Sequence, residues 1–529
     1  MNSPRNQLFI WQEYSLAAVA GLFSLCLYIV TLAPGLLPGD SGEFQTLAYQ
    51  LANTHPTGYS TYLLLARLFI LLPIKDVAYR VNLFSAVLGA LAVAGIYLIG
   101  RLIANQSIPP LLGSLSLAVS TTFWSQAIIA EVYTAGALFL VIILLGVLVW
   151  DKTGNSTALF IATMAGGMSL GIHFSAALFG LPVAVFLALN WRKWKEFWKP
   201  AGSGMLTGLV VYFFGFLIVN RSNSPLDYFN TIVKPSVSAW GLTPVDTASP
   251  LGRLWFSLSG IQFHAFMFAD PLKIMPSNFR AFWAAIGHEF AMVTLLLSLV
   301  GVAFLFVREY KVAILLVGSL VYYGLILFNY TVLDLYVFYI PLYILLALLA
   351  GVGLAALVKF ISRYIKAQHS VLVGIPTLLV IAIAVWPVAM PSIKEVVDGR
   401  PPFTIKGDPG SSDFERMHPA LNSIVEAIDP GAIVFTNWDM VYPYYYVAYF
   451  EEGRTDLTFI ETYPRDDVKH YDIAQSAIDY IQQKLPTHPV FFDNLDPKLW
   501  NAGFQFTPVY VGGARFYRVS LKVSDSKQN

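Results

Sequence analysis

The sequence predicts a polytopic α-helical membrane protein of about eleven spans with a C-terminal α/β domain, and three observations carry that reading. Of 529 residues, 56% are apolar and 12% charged, against about 45–50% and about 25% in soluble globular domains. The apolar residues fall in runs close to the 17–25 residues needed to cross a hydrocarbon core of roughly 30 Å. Charge then divides near Pro391: residues 1–391 hold 20 basic and 13 acidic side chains, and residues 392–529 hold 13 and 19. A soluble or nucleic-acid-binding chain is excluded, and membrane lipid is the first expected partner. The expected division is a transmembrane body, 1–391, and a soluble extracytoplasmic α/β domain, 392–529. Cys26 is the one cysteine, so no intramolecular disulfide is expected.

The runs lie near 14–33, 81–100, 109–123, 132–150, 157–172, 174–189, 201–219, 290–307, 312–330, 336–358 and 370–390. The first is too long for a signal-peptide core and lacks a cleavage site before Pro34, so it is read as retained. Basic residues near span ends stay on the cytoplasmic side. With the N-terminus inside, the short inner connections hold Arg5, Arg101, Lys152, Arg192, Lys193, Lys195, Lys199, Arg308, Lys311, Lys359, Arg363 and Lys366. The tail after Pro391 then lies outside. The apolar stretches Tyr59–Leu72 and Leu251–Ala269 are laid along the outer interface, the second because Arg253 and His264 interrupt it.

An ionisable residue inside a bilayer costs at least about 2.5–3.5 kcal/mol on insertion scales, and the runs are almost free of them. Asp40, Glu43, Glu131, His173 and Asp334 instead follow odd-numbered runs, at the outer ends by the same parity. The densest cluster is Pro38-Gly39-Asp40-Ser41-Gly42-Glu43-Phe44, followed by His55-Pro56-Thr57-Gly58-Tyr59. Two readings compete here. Asp40 can N-cap a helix, with Glu43 closing a capping box; or the loop offers a base, a fixed backbone and an imidazole at the membrane surface.

These motifs, with Arg80-Val81-Asn82-Leu83-Phe84-Ser85, Phe123-Trp124, Ala130-Glu131-Val132-Tyr133 and Gly171-Ile172-His173 in this order, resemble the multipass protein O-mannosyltransferase-like family. The resemblance is dense over about 30–190. Trp240-Gly241, Gly260-Ile261-Gln262-Phe263 and Thr436-Asn437-Trp438-Asp439 continue it. It implies a GT-C-like fold and an inverting glycosyltransferase that moves a sugar, mannose by the family's example, from a polyprenyl-phosphate carrier to an extracytoplasmic protein or glycan hydroxyl. It further implies Asp40 as general base, with Glu43 or Glu131 sharing that role or orienting the acceptor. His55, Arg80 and His173 are then the groups for the leaving phosphate, and Tyr59, Trp240 and Gln262 the remaining substrate contacts. A bacterial cell membrane is the expected location.

Residue chemistry alone gives plainer roles. Arg80 can anchor a span end, His173 can break a tight hairpin, Glu131 can be a span-end residue, and Arg67 can snorkel. The loop 220–289, rich in Pro and Trp, is too long to be a mere connector. The tail reads as a strand at 432–435, a Tyr-rich helix at 442–450, a strand at 457–460, a helix at 471–484 and a strand at 490–492. It lacks a Gly-rich phosphate loop. No metal-ligand spacing appears, so no metal and no cofactor beyond the lipid-linked sugar are expected. The competing class is a lipid or solute transporter, which would show paired inverted repeats and broken midplane helices; no repeated pattern is found here, and the functional candidates lie at one face.

Overall fold

The computed structural model describes residues 9–221, 224–365, 370–397, 414–464, 472–495 and 497–522. Arg5, Lys366 and the start of the helix expected at 471–484 lie outside them. The chain forms two compact units: Met1–Ala33, Asn82–Phe214 and Phe266–Lys406 in one, Pro34–Val81, Gly215–Ala265 and Gly407–Asn529 in the other.

All eleven apolar runs are helical. Seven are long and apolar enough to cross a membrane: Trp11–Val30, Val77–Ala104, Tyr133–Thr153, Trp191–Asn220, Tyr310–Leu327, Ile340–Arg363 and Val373–Glu395. The other four are shorter. Met292–Arg308 follows Pro271–Glu289 at a bend of 112°, and Pro110–Val119, Ser156–Gly171 and Phe174–Leu189 are short apolar helices.

The run expected at 109–123 breaks at Ser120 for a visible reason. Buried Glu289 accepts hydrogen bonds from Ser120 Oγ at 2.5 Å, Thr122 N at 3.0 Å and Thr122 Oγ1 at 2.6 Å, so the chain turns around a carboxylate. Helix packing within this first unit uses small residues, which let backbones approach closely. A side chain at Gly301 would strike the Leu349 carbonyl, and one at Gly353 the Leu297 carbonyl. The two interface stretches are short helices, Ser60–Ile70 and Pro250–Ser259. Gly260, at φ +56°, ends the second, and ten residues rise only about 15 Å.

The second unit carries a five-stranded sheet of order β2-β1-β3-β5-β4. Strand β1 (Ile433–Thr436) pairs in parallel with β2 (Thr458–Glu461) and β3 (Val490–Phe492). Strand β3 pairs antiparallel with β5 (Ala514–Leu521), which forms a hairpin with β4 (Phe504–Val511). Ile433, Phe435, Ile460, Ile478, Ile481 and Phe492 fill the core between the sheet and the helix Gln475–Lys484. The parallel strands are buried along their length, as continuous apolar runs predict. The expected Tyr-rich helix starts earlier, at Trp438, and its tyrosines 442 and 444–446 are buried. They pack inward, and two have their hydroxyls engaged: Tyr445 Oη accepts from Phe459 N at 3.0 Å, and Tyr446 Oη from Ala78 N at 3.3 Å.

Candidate active site

The loop after the first apolar run does not fold as a capping box. Its helix, Gly39–Gln50, has Pro38 at the N-cap and no side-chain cap. Glu43 is drawn instead to His55. Its Oε1 accepts the His55 backbone N–H at 2.8 Å, and its Oε2 lies 2.5 Å from His55 Nδ1. The Glu43 side chain is fully buried, and that burial raises its pKa, with the His55 contact opposing the shift. His55 presents its other nitrogen, Nε2, 3.8 Å from Asp40 Oδ2. Asp40 accepts a 2.7 Å hydrogen bond from Trp438 Nε1 on its other oxygen. Its side chain is 38% exposed, whereas those of His55 and Glu43 are 11% and 0% exposed. Asp40 is therefore the carboxylate of this trio that a substrate can reach.

Backbone fit holds the loop in place. Gly42 permits it: a Cβ there would lie 2.5 Å from the Leu37 carbonyl oxygen and 2.9 Å from Pro443 Cδ. Gln45 ties the loop to its own helix, accepting from Leu37 N at 3.0 Å and donating to the Gly35 carbonyl at 3.2 Å. Around His55 stand the rings of Tyr59 at 4.9 Å, Trp438 at 5.7 Å, Phe44 at 5.9 Å and Tyr228 at 6.5 Å. Tyr228 donates to Gln262 Oε1 at 2.8 Å, which joins that residue to the cluster.

Asn53, two residues before His55, is fixed by buried Asp227. Asp227 Oδ2 accepts from Asn53 N at 3.2 Å and Nδ2 at 2.6 Å, while the Asn53 carbonyl accepts from Tyr228 N at 2.9 Å. Burial raises the Asp227 pKa against these hydrogen bonds.

Trp438 lies two residues beyond β1, Glu461 ends β2, and Asp493 follows β3, where it accepts from Thr436 Oγ1 at 2.5 Å. Burial raises the pKa of Asp493, and burial, with the Glu461 charge adding to it, raises that of Tyr228. The cluster thus gathers at the carboxyl ends of the parallel strands, where open α/β sheets bind ligands.

Of the nine residues expected from sequence, Asp40, Glu43, His55 and Tyr59 meet directly and Gln262 joins through Tyr228. Trp240 packs its ring 6.0 Å from Phe256, which lies 5.6 Å from Phe229, one layer behind. Arg80 belongs to the same unit but gives its guanidinium to the carbonyls of Ile70, Ile74 and Lys75, closing the turn after Ser60–Ile70. Glu131 and His173 belong to the other unit. Glu131 exchanges backbone hydrogen bonds with Ser85 Oγ, each 3.2 Å. His173 caps the helix Phe174–Leu178 through Nδ1 and packs on Tyr133 at 4.9 Å and Phe338 at 5.5 Å. Sequence reasoning missed Asn53, Asp227 and Tyr228, and gave Trp438 no role. Among the described residues no group of three or more His, Cys, Asp or Glu is arranged to hold a metal ion.

Residues 40–198 match the family model described as the protein O-mannosyl-transferase TMEM260 N-terminal domain. Protein O-mannosyl-transferase TMEM260 of Mus musculus is 32% identical over 185 residues, covering 34% of this chain and 26% of the relative. Its Dictyostelium discoideum counterpart is 28% identical over 140 residues, 26% of this chain and 17% of the relative. The matches thus take in about a quarter and about a sixth of those relatives' length. Among solved structures, ArnT from Cupriavidus metallidurans bound to undecaprenyl phosphate aligns over 97% of this chain and 98% of its own, with TM-score 0.51 and 13% identity. The oligosaccharyltransferase of Archaeoglobus fulgidus in the apo form aligns over 98% and 75%, with TM-score 0.53 and 13% identity. At that identity the likeness is one of fold.

Proposed function

We propose, from a chain that is O-mannosyltransferase-like in its N-terminal region and GT-C in fold, that it transfers a sugar from a polyprenyl-phosphate carrier to a hydroxyl outside the cytosol. The observation that carries this reading is Asp40, a half-exposed carboxylate braced by Trp438 and set beside a His55 that buried Glu43 holds in place. In the reaction the acceptor oxygen bonds to the anomeric carbon, the bond from that carbon to the phosphate oxygen breaks, and polyprenyl phosphate leaves with its electron pair. The acceptor proton passes to Asp40, the general base. Attack opposite the leaving group inverts the anomeric configuration. Glu43 acts through His55 as a positioning residue, since it is too buried to meet substrate. The lipid-linked sugar carries its own leaving group, so the reading assigns no cofactor and no metal.

Mannose as the sugar and a protein hydroxyl as the acceptor are proposed on the relatives' names. Undecaprenyl phosphate bound to ArnT supports a polyprenyl-phosphate donor. We place the site and the tail on the extracytoplasmic face of the membrane, on the distribution of basic connections. In this proposal residues 1–391 form the transmembrane glycosyltransferase part and 392–529 the soluble extracytoplasmic part. Arg80 and His173 stay proposed as groups for the leaving phosphate, and Glu131 as a residue that shares the base role or orients the acceptor.

Mass spectrometry of outer proteins and lipids from cells with and without this chain tests the reading. A hexose present only with the chain is the expected result. Identical glycan profiles together with altered lipid or solute distribution across the membrane would turn the assignment to a transporter.

A further inference from the structure

We propose that the C-terminal ends of four apolar helices in the first unit form a pocket for the phosphodiester headgroup of an anionic membrane lipid. A cavity of about 620 Å³ is lined by Arg101, Lys152, Arg308, Glu309, Lys359 and Arg363. Arg101, Lys152 and Arg308 stand in the last turns of Val77–Ala104, Tyr133–Thr153 and Met292–Arg308, and Lys359 and Arg363 in the last two turns of Ile340–Ile365. These helices are the second, fourth, eighth and tenth apolar runs of the sequence, so each leaves the membrane on the same side. Outward-facing charge alone would scatter these residues, whereas here five cations face one cavity.

A cation at a helix C-terminus is ordinary, because each end carries roughly half a negative charge. The lining here exceeds that need. Arg101 is paired with Glu13 and donates to Asn105 Oδ1 at 3.0 Å, and Lys152 donates to the Leu102 carbonyl at 2.6 Å. Arg308, Lys359 and Arg363 have no hydrogen-bond or carboxylate partner among the described residues. Lys359 and Arg363 are also one turn apart on one helix face, where like charges repel.

Setting Glu13, Glu309 and the four helix ends against the five cations leaves about one uncompensated positive charge. One phosphodiester supplies the matching negative charge. Phe304 and Phe360 line the same cavity and offer apolar wall to an acyl chain. Basic pockets between membrane helices hold lipid headgroups in this way. The inference does not depend on the proposed sugar transfer.

The test uses the full chain purified in a nonionic detergent, with thermal unfolding and lipid binding followed on addition of phosphatidylglycerol, phosphatidylcholine or inorganic phosphate. Phosphatidylglycerol is expected to bind and raise Tm, and phosphatidylcholine to do neither. The combined variant Arg308→Gln, Lys359→Gln, Arg363→Gln is expected to bind phosphatidylglycerol about 100-fold more weakly. Equal stabilisation by phosphatidylcholine, or undiminished binding by the combined variant, would overturn the pocket. A full Tm rise from millimolar inorganic phosphate would overturn the lipid as its occupant in favour of a free anion. If the combined variant does not fold, the three single variants carry the same test, each expected to lose about fivefold.

Discussion

Replacing Trp438 by Phe tests how Asp40, the proposed base, is held. The indole Nε1–H donates to Asp40 Oδ1 at 2.7 Å, while the ring itself contacts His55 at 5.7 Å, Tyr442 at 5.6 Å and Tyr228 at 6.1 Å. Phenylalanine keeps an aromatic ring in that cage and removes the donor. A hydrogen bond to a charged group contributes about 1.5–3 kcal/mol, and the 38% exposure of Asp40 lets water replace part of it. About 1–2 kcal/mol of orientation is therefore lost, or roughly 5–30-fold in rate. Transfer by the purified variant, with donor and acceptor each titrated, should show that loss in kcat with little change in donor KM. Trp438→His returns an N–H on a ring and should recover part of the rate. If Phe and His variants lose the same amount, ring packing alone explains the effect. If the Phe variant keeps full kcat, Trp438 does not orient the base.

Three further outcomes follow from the same geometry. Glu43 has a raised pKa in the folded state, so its contribution to stability is complete below the ordinary carboxylate pKa and fades as pH rises through the folded value. Glu43→Gln removes that titration, and Tm of the variant minus Tm of the wild type should become more favourable to the variant from pH 4 to pH 8; a difference that does not change with pH contradicts the burial argument. Gly42→Ala sets a methyl group 2.5 Å from the Leu37 carbonyl oxygen and 2.9 Å from Pro443 Cδ, and the overpacking should cost about 1–3 kcal/mol, read by thermal unfolding. Asp227→Ala leaves the Asn53 and Phe229 backbone donors unpaired in a buried place, with Asn53 Nδ2 keeping only Asn220 Oδ1, and should destabilise by about 2–4 kcal/mol, Asp227→Asn by about half that, with limited proteolysis as the readout; wild-type stability of both variants would remove the Asp227 brace from the account.

The membrane part was legible because its signal is local. Every apolar run became a helix, since a backbone in lipid must satisfy its own hydrogen bonds. The break at Ser120 was hidden because its cause, Glu289, is 169 residues away. Asp40 and Glu43 could be picked out from their loop, but sequence could not separate capping from catalysis. Glu43 stands three residues after Asp40, the spacing of a capping box, and only the fold shows its carboxylate turned to His55. Trp438 and Asp40 are 398 positions apart, and no pattern in either segment foretells the contact. The last hairpin was a missed signal of a different kind. Gly512-Gly513 between the strands Phe504–Val511 and Ala514–Leu521 is the turn such a hairpin requires, with φ of +55° and +86°.

The central claim is that Asp40 takes the acceptor proton in a sugar transfer, and it meets its most direct test in the pure Asp40→Asn variant. Donor binding, thermal unfolding and transfer from a polyprenyl-phosphate mannose are measured on one preparation. The amide can still accept the Trp438 hydrogen bond but cannot serve as a base. The account predicts an unchanged fold, donor binding close to wild type, and transfer reduced by about 10²–10⁴-fold, the range that general-base catalysis supplies. A folded variant that binds donor and transfers at the wild-type rate would contradict it.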